Sequence, residues 1–295
     1  MKIAGDENVL CQEPMKKHTT FRIGGPADYF ITPHTAEEVA ALIRVCKEQQ
    51  VPWYILGNGS NLLVSDQGFR GVIIQLFRNF NEIVIEGECV QVQAGAMNSV
   101  IAKRALEAEL TGFEFAAGIP GTMGGAVVMN AGAYGGEMKD ILEEVTVLDE
   151  HENLLVLPKE ALELGYRTSI IAKKNYVVLG AKLSLKKGNA EQIRARMDEL
   201  KEQRVSKQPL EYPSAGSTFK RPEGYFAGKL IMDAGLRGFS VGQAQVSEKH
   251  CGFVINRGDA TAKDVMELMR EVSRQVKEKF GVELEPEVKR LGECD

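Results

Sequence analysis

The stretch AGIPGTMGGAVVMNAGAYGG, which runs from Ala117 to Gly136, contains seven glycines and no charged residue. Glycines this close together predict against a stable helix, because each interior glycine costs roughly 1 kcal/mol relative to alanine, and they are too frequent for an ordinary strand. They indicate a backbone that turns sharply, adopts positive φ angles and exposes its amides to a phosphate-bearing ligand. The apolar residues between the glycines suit a ligand that also has a large flat part. The alternative is a tight packing of glycine turns without any ligand.

A second glycine cluster, Gly57–Asn61 (GNGSN), directly follows a predicted strand. It lacks the third glycine, the following helix and the acidic residue of a Rossmann turn, and it lacks the Gly-Lys-Ser/Thr of a P-loop. By itself it is typical of a hairpin turn. Paired with the longer stretch, it predicts two glycine loops that hold one diphosphate from two sides, through backbone amides and the hydroxyls of Ser60 and Thr122.

The composition excludes several classes of protein. The chain has 295 residues, 44% of them hydrophobic and 26% charged, and a net charge of −5. It contains no run of about 18 apolar residues that predicts a membrane span, and its first residues lack the apolar segment of a signal peptide, so we expect a cytoplasmic protein. Scattered cysteines and histidines argue against disulfides and a metal site, and the negative charge offers no global basic surface for nucleic acid.

The hydrophobic pattern predicts three consecutive segments, with the boundaries 1–77, 78–205 and 206–295. In the first segment we expect two strands joined by a Gly-Gly turn over residues 18–33. A helix follows them, and it begins with a capping box at Thr35–Glu38. With the short strand after this helix, the order predicts a βαβ-like unit.

The spacing of hydrophobic residues also predicts the helices and strands of the second and third segments. The second begins with an alternating β-ribbon at residues 83–95 and a helix at 98–110. Strands return after the glycine-rich stretch, and a polar helix capped by Asn189 follows them. The third contains a long amphipathic helix that begins after Thr261 and ends at Gly281.

Six motifs occur in this order between His18 and Val288: HTTFRIGGPADYF, LGNGSNLLVSD, GFEFAAGIPGTMGGAVVMNAGAYGG, LGYRTS, PSAGSTFKRP and LEPEV. Together they resemble the bacterial UDP-N-acetylenolpyruvoylglucosamine reductase family, in its shorter type without an extra capping loop. The resemblance implies an α+β fold. A two-subdomain FAD-binding module of the PCMH or vanillyl-alcohol-oxidase type would be followed by a smaller α/β substrate-binding domain, with the last residues packing back on the first subdomain.

The resemblance implies noncovalent FAD as the cofactor and NADPH as the reductant. It implies the reduction of UDP-N-acetylglucosamine enolpyruvate to UDP-N-acetylmuramate for peptidoglycan synthesis, by a monomer or weak oligomer that neither binds nucleic acid nor inserts into a membrane. The FAD contacts that it implies come from both glycine loops: Gly57, Asn58, Gly59, Ser60, Asn61, Gly118, Ile119, Pro120, Gly121, Thr122 and Gly124.

The resemblance assigns catalysis to Arg167, Ser217 and Glu287. Arg167 would hold the enolpyruvyl carboxylate with its fork of donors, Ser217 would protonate C2 of the substrate, and Glu287 would serve the intermediate or the proton path. Without the resemblance, these residues read as a surface arginine, a turn serine and a solvated glutamate. Ser214 and Glu285 are the rival candidates for the second and third roles.

The resemblance also places Tyr134 and Lys207 at the substrate or the nicotinamide. We expect Lys220, which belongs to a basic cluster in this part of the sequence, to bind the substrate too, with Gln245 as a weaker candidate. A net-negative protein that binds a UDP-sugar must concentrate cations locally, whereas the alternative for each lysine is a plain surface position. Arg204 is a weaker candidate, and the role of Lys289 stays open. Two other functions fit the motifs: a related FAD-dependent oxidase acting on another substrate, and a non-catalytic sensor that binds a UDP-sugar or a flavin.

Overall fold

The computed structural model describes residues 3–293 and divides into two compact units. The first unit contains the described residues up to Leu10, together with Tyr29–Asn58 and Gly71–Arg204; the second contains Cys11–Asp28, Gly59–Arg70 and the described residues from Val205 onward. Each unit therefore combines separate stretches of the chain. The three consecutive segments inferred from the sequence stay a prediction, and their outermost residues, 1–2 and 294–295, lie outside the described residues.

The helices and strands have the following bounds. The helices are α1 Ala36–Glu48, α2 Asn98–Glu107, α3 Met123–Val128, α4 Ile170–Lys174, α5 Ala190–Lys207, α6 Ala227–Asp233 and α7 Ala262–Phe280. The strands are β1 Val9–Pro14, β2 Pro26–Ile31, β3 Trp53–Leu56, β4 Leu62–Val64, β5 Phe69–Gln75, β6 Ile83–Glu86, β7 Cys89–Gln93, β8 Leu110–Thr111, β9 Gly132–Ala133, β10 Gly136–Glu137, β11 Leu142–Leu148, β12 Leu154–Pro158, β13 Val177–Ser184, β14 Lys186–Lys187, β15 Ser214–Ser217, β16 Ser240–Val241, β17 Ala244–Val246, β18 Phe253–Asn256 and β19 Lys289–Leu291. None of these helices is long and apolar enough to cross a membrane.

An antiparallel sheet with the strand order β12–β11–β13–β7–β6 forms the centre of the first unit. Helix α3 packs against β13 and β7, and alternate residues of the strands, such as Val90, Val145 and Leu183, are completely buried. The β6–β7 ribbon turns at Gly87, whose φ is +64°. The ribbon predicted from the alternating sequence is therefore confirmed, because one apolar face of each strand has a core to enter.

A second sheet has the order β1–β2–β5–β3, in which β3 and β5 are parallel and Trp53 lies opposite Val72. The predicted cap of α1 is confirmed, since the Thr35 hydroxyl accepts a hydrogen bond from the amide of Glu38 at 3.2 Å. The reciprocal half of the predicted capping box is wrong. The Glu38 carboxylate accepts from the amide of His34 at 2.7 Å instead, one residue further out.

The first of the two strands predicted over residues 18–33 is also wrong, because only β2 forms there, and residues 18–25 form a bend, a turn and irregular backbone. The amide of Met15 donates to the Gly25 carbonyl at 3.0 Å, and the amide of Gly25 donates to the Ser65 carbonyl at 2.9 Å. A Cβ on Gly25 would collide with the carbonyl oxygen of Asp66. This close backbone approach ties the Gly-Gly pair to residues distant in sequence and leaves no ladder for a strand.

The glycine-rich stretch contains a short helix, α3, where the glycine spacing predicted none. Its first two amides, those of Met123 and Gly124, donate to the carbonyls of Ala96 and Ala94 at 2.8 Å each. A Cβ on Gly124 would stand 3.0 Å from the Ala94 Cβ. Close packing on the segment after β7 therefore outweighs the low helix propensity of glycine, as tertiary contacts often do.

The second unit is built on the antiparallel sheet β15–β18–β17–β16, with α7 packed against β16 and β17. The predicted amphipathic helix is confirmed: the apolar residues on its periodic face are buried, namely Val265, Leu268, Met269, Val272 and Val276. A capping box between Thr261 and Asp264 begins α7, and Gly281 ends it at φ +71°. Asp66 strengthens the start of the helix by accepting from the first two helical amides at 2.8 and 3.1 Å.

The C-terminal strand β19 pairs in parallel with β4, so that Lys289 lies opposite Leu62. The amide of Ser65 continues this pairing by donating to the Leu291 carbonyl at 2.9 Å.

The predicted cap of α5, in the first unit, is confirmed, because the amide of Gln192 donates to Asn189 Oδ1 at 3.1 Å.

Candidate active site

Parts of the two glycine loops lie against each other in the first unit. The Asn58 side chain donates from Nδ2 to the Pro120 carbonyl at 2.9 Å. A Cβ added to Gly57 would stand 2.5 Å from Oγ1 of Thr122, the buried residue directly before α3. Loops this close leave no room for side chains between them, so the surface that they present is backbone and small polar groups.

Arg204, at the end of the first unit, lies against the longer glycine loop. A Cβ on Gly118 would stand 3.1 Å from Nη1 and 3.2 Å from Cδ of Arg204. Burial lowers the pKa of the Arg204 guanidinium, and the electrostatic contribution of Tyr134 opposes this. No carboxylate pairs with Arg204 among the residues that the structure describes. An unpaired, half-buried cation beside bare backbone amides is suited to an anionic group of a ligand.

The side-chain amide of Asn98 is a second polar group near this loop that lacks a partner among the described residues. Its backbone amide donates to the Gly121 carbonyl at 3.0 Å, and its side chain is completely buried. Within residues 3–293, neither Oδ1 nor Nδ2 of Asn98 has a hydrogen-bond partner. Because buried amides are nearly always paired, this orphaned group next to the glycine backbone fits a site that receives a polar cofactor.

The remaining residues of the loop complete this surface. Ile119 is half-buried, and its carbonyl accepts from the amide of Gly121 at 2.8 Å, which makes a tight reversal at the exposed Pro120. Tyr134 is exposed and has a φ of +53°. Both observations place main-chain and ring atoms of the stretch at the surface of the first unit.

Arg167 lies in a tight turn that Gly165 and Thr168 close, each amide donating to the other's carbonyl, at 3.1 and 3.4 Å. The φ of Arg167 is +54°, a left-handed conformation that costs a residue with a Cβ about 1–2 kcal/mol. Its Cζ lies 5.4 Å from the ring centroid of Tyr166. Strained backbone of this kind often occurs at functional positions, and Arg167 shares it with one other loop arginine, Arg22, whose φ is +56°.

Ser217 ends β15 in the second unit, directly after Gly216, whose φ is +75°. The strand is irregular between Ser214 and Ser217, where its register with β18 shifts. This bulge re-aims the residues that follow it. Ser217 lies opposite Phe253 and is half-buried, so its hydroxyl is within reach of a ligand and is not buried in the core.

Glu287 is brought next to Ser217 by a short antiparallel bridge. Phe219 pairs with Pro286, and the amide of Glu287 donates to the carbonyl of Thr218 at 2.8 Å. Glu287 is half-buried, whereas the rival Glu285 is exposed and its carboxylate pairs with Lys220. The same bridge also holds Glu285, whose carbonyl accepts from the amide of Lys220 at 2.8 Å, so the two glutamates differ in exposure and pairing and not in their attachment to the bridge.

The second half of the GNGSN loop joins this group, within the second unit. The Asn61 side chain donates from Nδ2 to the Glu287 carbonyl at 3.2 Å. Thr20 links the same loop to β15: its amide donates to the Gly59 carbonyl at 3.3 Å, and its hydroxyl donates to the Ser214 carbonyl at 2.7 Å. Ser214 therefore already contributes its backbone oxygen to the scaffold.

The predicted site residues thus fall into two sets. The first unit holds Gly57, Asn58, Gly118, Ile119, Pro120, Gly121, Thr122, Gly124, Tyr134 and Arg167. The second unit holds Gly59, Ser60, Asn61, Lys207, Ser217, Lys220, Gln245 and Glu287. Sequence reasoning missed Thr20, Asn98 and the environment of Arg204, because their contacts join residues far apart in the chain.

Three predicted substrate-binding residues of the second unit differ in exposure and in the contacts that they already make. Lys207 is exposed at the end of α5. Lys220 forms an ion pair with Glu285, which neutralises part of its charge. Gln245 donates from Nε2 to the Gly238 carbonyl at 3.1 Å, while its buried Oε1 has no partner in the described part of the chain.

The chain matches two family models and has close relatives along nearly its whole length. A model described as the C-terminal domain of UDP-N-acetylenolpyruvoylglucosamine reductase matches residues 208–291, and one described as an FAD binding domain matches residues 27–157. The UDP-N-acetylenolpyruvoylglucosamine reductase of Lachnoclostridium phytofermentans is 58% identical over 295 residues, which cover 99% of this chain and 95% of the relative. That of Clostridioides difficile is 53% identical over 293 residues, covering 99% and 96%.

A solved structure agrees with these relatives. The crystal structure of UDP-N-acetylenolpyruvylglucosamine reductase (MurB) from Thermus caldophilus is 38% identical, has a TM-score of 0.82 and covers 96% of this chain and 98% of that one. The predicted α+β fold with an FAD-binding module and the predicted cofactor, FAD, are thereby confirmed.

The glycine loops, the FAD-binding module and these relatives define an FAD-dependent oxidoreductase. The bare backbone of Gly57 and Gly118, with the unpaired Arg204 and Asn98, fits the cofactor that this class requires. More particularly, the chain belongs to the UDP-N-acetylenolpyruvoylglucosamine reductase family.

Proposed function

We propose that this protein uses NADPH to reduce the enolpyruvyl group of UDP-N-acetylglucosamine enolpyruvate to the lactyl ether of UDP-N-acetylmuramate, a step of peptidoglycan precursor synthesis. The observation that carries the proposal is the backbone bridge that brings Ser217 and Glu287 to the Asn61 end of a glycine loop. FAD, when bound, supplies the chemistry of accepting a hydride from NADPH and returning it to the vinyl carbon C3. The chain's own residues must then hold the substrate and deliver a proton to C2.

Arg167 is proposed to bind the carboxylate of the enolpyruvyl group. Its planar guanidinium offers parallel donors that match a carboxylate and stabilise the negative charge that develops on it when hydride adds to C3. The strained turn at Arg167 supports this role, because an arginine would otherwise avoid a φ of +54°. On the same proposal, the substrate remains in one orientation while the bond forms.

Ser217 is proposed to donate the proton to C2, with Glu287 as its acidic partner. A hydroxyl is a weak acid at neutral pH, so it needs neighbours that stabilise its conjugate base or return its proton. The amide-to-carbonyl bond from Glu287 to Thr218 keeps the glutamate one residue from Ser217 along the bridge. Glu287 is therefore proposed to steady the developing charge and the proton path.

The other predicted contacts are proposed to bind the remainder of the two substrates. Lys207, Lys220 and Gln245 would hold the UDP-sugar, and Tyr134 would contact the substrate or the nicotinamide. Because Glu285 pairs with Lys220, we assign the larger share of phosphate binding to the exposed Lys207. The substrate is a charged nucleotide, which also accords with a cytoplasmic protein, acting as a monomer or weak oligomer.

A comparison of Ser217→Ala with Ser214→Ala tests this assignment. We expect NADPH to bleach the visible flavin spectrum of both variants at the parent rate. On adding the enolpyruvyl nucleotide, recovery of the spectrum should slow by about 10²- to 10⁴-fold in Ser217→Ala and stay near the parent rate in Ser214→Ala, which keeps the backbone oxygen that accepts from Thr20.

Two outcomes would contradict the proposed function, and a third would contradict only the role of Ser217. Protein that stays colourless after reconstitution with FAD would exclude the flavoenzyme. Recovery that is as fast in air as with the enolpyruvyl nucleotide would favour the oxidase. Full NADPH-driven turnover by Ser217→Ala would remove the proposed proton donor.

A further inference from the structure

The turn that carries Arg167 depends on support from outside itself. Gly165 and Thr168 close it with two backbone hydrogen bonds, of which the second is long at 3.4 Å. The residues that usually adopt a positive φ at the third position of such a turn are glycine and asparagine. An arginine can keep this conformation only where surrounding groups hold the turn in place.

Asn130, in the second half of the glycine-rich stretch, provides this support directly. Its Nδ2 donates to the Gly165 carbonyl at 3.1 Å and to Oε2 of Glu137 at 2.9 Å. Its Oδ1 accepts from the amide of Lys139 at 2.9 Å. The residue is 2% exposed, so these protein groups, and not water, satisfy its amide.

The neighbouring residues strengthen the same link. Ser169, directly after the turn, is completely buried, and its hydroxyl donates to the Val128 carbonyl at 2.8 Å. The two ends of the turn are therefore attached to Val128 and Asn130, two residues apart in the glycine-rich stretch. Movement of either attachment would displace the residue between them.

A neighbouring carboxylate also determines which side-chain atom of Asn130 faces the turn. The hydrogen bond from Lys139 lowers the pKa of the Glu137 carboxyl, and Asn130 and the charge of Arg167 lower it further. Glu137 therefore stays anionic and keeps its acceptor for Asn130. This carboxylate fixes the orientation of the asparagine amide, so that Nδ2 and not Oδ1 faces the Gly165 carbonyl.

We infer that Asn130 is a positioning residue for Arg167: by holding the carbonyl of Gly165, it keeps the turn in the conformation that presents the guanidinium to the substrate. The inference rests on the carboxylate-binding role proposed above for Arg167. Asn130 itself touches neither the substrate nor the cofactor in this scheme. Its effect on the reaction must therefore pass through Arg167.

The first experiment replaces Asn130 by aspartate. Asn130→Asp keeps the size, the tolerance of positive φ and the acceptor for the Lys139 amide. Its carboxylate has no donor for the Gly165 carbonyl and repels the carboxylate of Glu137, so both contacts of Nδ2 are lost. We expect kcat/KM for the enolpyruvyl nucleotide to fall about 10- to 100-fold, the effect of a misplaced binding group. Flavin reduction by NADPH and the FAD content should match the parent.

Asn79→Ala is the matched control, because it removes a comparable bond in the same unit, from Nδ2 to the Thr32 carbonyl at 2.9 Å. It should leave both rates unchanged. The second experiment makes Asn130→Asp in an Arg167→Ala background. Because Asn130 acts through Arg167, the additional loss there should be less than about twofold, which a general effect on folding would not produce.

The outcomes separate the inference from the role on which it rests. If Arg167→Ala does not slow the reaction with the enolpyruvyl nucleotide, the proposed role of Arg167 fails. If Arg167→Ala slows it and Asn130→Asp does not, or if the two losses multiply, the inference about Asn130 is overturned. Loss of FAD or of folded protein in Asn130→Asp also overturns it, since the residue would then serve the fold at large.

Discussion

Gly59 provides a sharp test of how the glycine loop is built, because the chain contains a matched glycine elsewhere. Gly59 has a φ of +62° and Gly87, at the tip of the β6–β7 ribbon, has a φ of +64°. A Cβ on Gly87 would meet nothing within 4 Å. A Cβ on Gly59 would collide with the His18 carbonyl oxygen and stand 3.0 Å from the Thr19 Cα.

The expected magnitudes follow from this difference. Gly87→Ala should cost only the left-handed backbone penalty, about 1–2 kcal/mol. Gly59→Ala incurs the same penalty and, in addition, the overpacking of a rigid backbone neighbour, about 1–3 kcal/mol, for a total of about 2–5 kcal/mol. If half of the additional strain, about 0.5–1.5 kcal/mol, falls on the loop proposed to bind FAD, the Kd for FAD rises about 2- to 12-fold, because tenfold corresponds to about 1.4 kcal/mol.

Two measurements on each variant test these values. Thermal unfolding with FAD in excess should place the Tm of Gly59→Ala below that of Gly87→Ala, and titration of the apoprotein with FAD should show weaker binding for Gly59→Ala alone. Equal Tm values and equal Kd values for the two variants would refute the argument, since the collision with His18 would then have no energetic consequence.

Three further predictions use other contacts. Asp66→Ala removes the acceptor of the first two amides of α7 and should lower the free energy of unfolding by about 1–2 kcal/mol; an unchanged urea midpoint would contradict this. Burial lowers the pKa of His250, so the unfolded chain binds that proton first as the pH falls below about 6.5; the Tm of the parent should therefore drop more steeply from pH 7.5 to 5.5 than that of His250→Gln, and parallel pH profiles would refute it. Arg204→Met removes a half-buried cation that has no carboxylate partner among the described residues. The Tm of the apoprotein should therefore not fall below that of the parent, while FAD binding weakens about tenfold. A lower Tm with unchanged FAD affinity would show that Arg204 stabilises the fold and does not bind FAD.

Much of the fold could be predicted because its signals are local. The buried face of α7 and its end at Gly281 follow from periodicity and from one residue that tolerates positive φ. The β6–β7 ribbon follows from strict alternation. In each case, residues a few positions apart determine both the backbone conformation and the face that is buried.

Predictions failed where distant contacts outweighed local propensity. Residues 18–25 alternate like a strand, but Gly25 approaches the backbone at residues 65 and 66 too closely for a ladder to form. The glycines of α3 disfavour a helix, yet hydrogen bonds to Ala94 and Ala96 hold one there. Neither contact can be predicted from the local pattern of the sequence.

The sequence by itself indicated a phosphate-bearing ligand through its glycine spacing, and the family resemblance of its motifs named Arg167, Ser217 and Glu287 as the candidates for catalysis. Only the tertiary structure decided how these groups are held. The bond from Asn130 to Gly165 joins residues 35 positions apart, and that from Asn61 to Glu287 joins residues 226 apart. Such contacts depend on where whole elements pack, which no local periodicity encodes, and each of them fixes the backbone at or near a predicted site residue within its own unit.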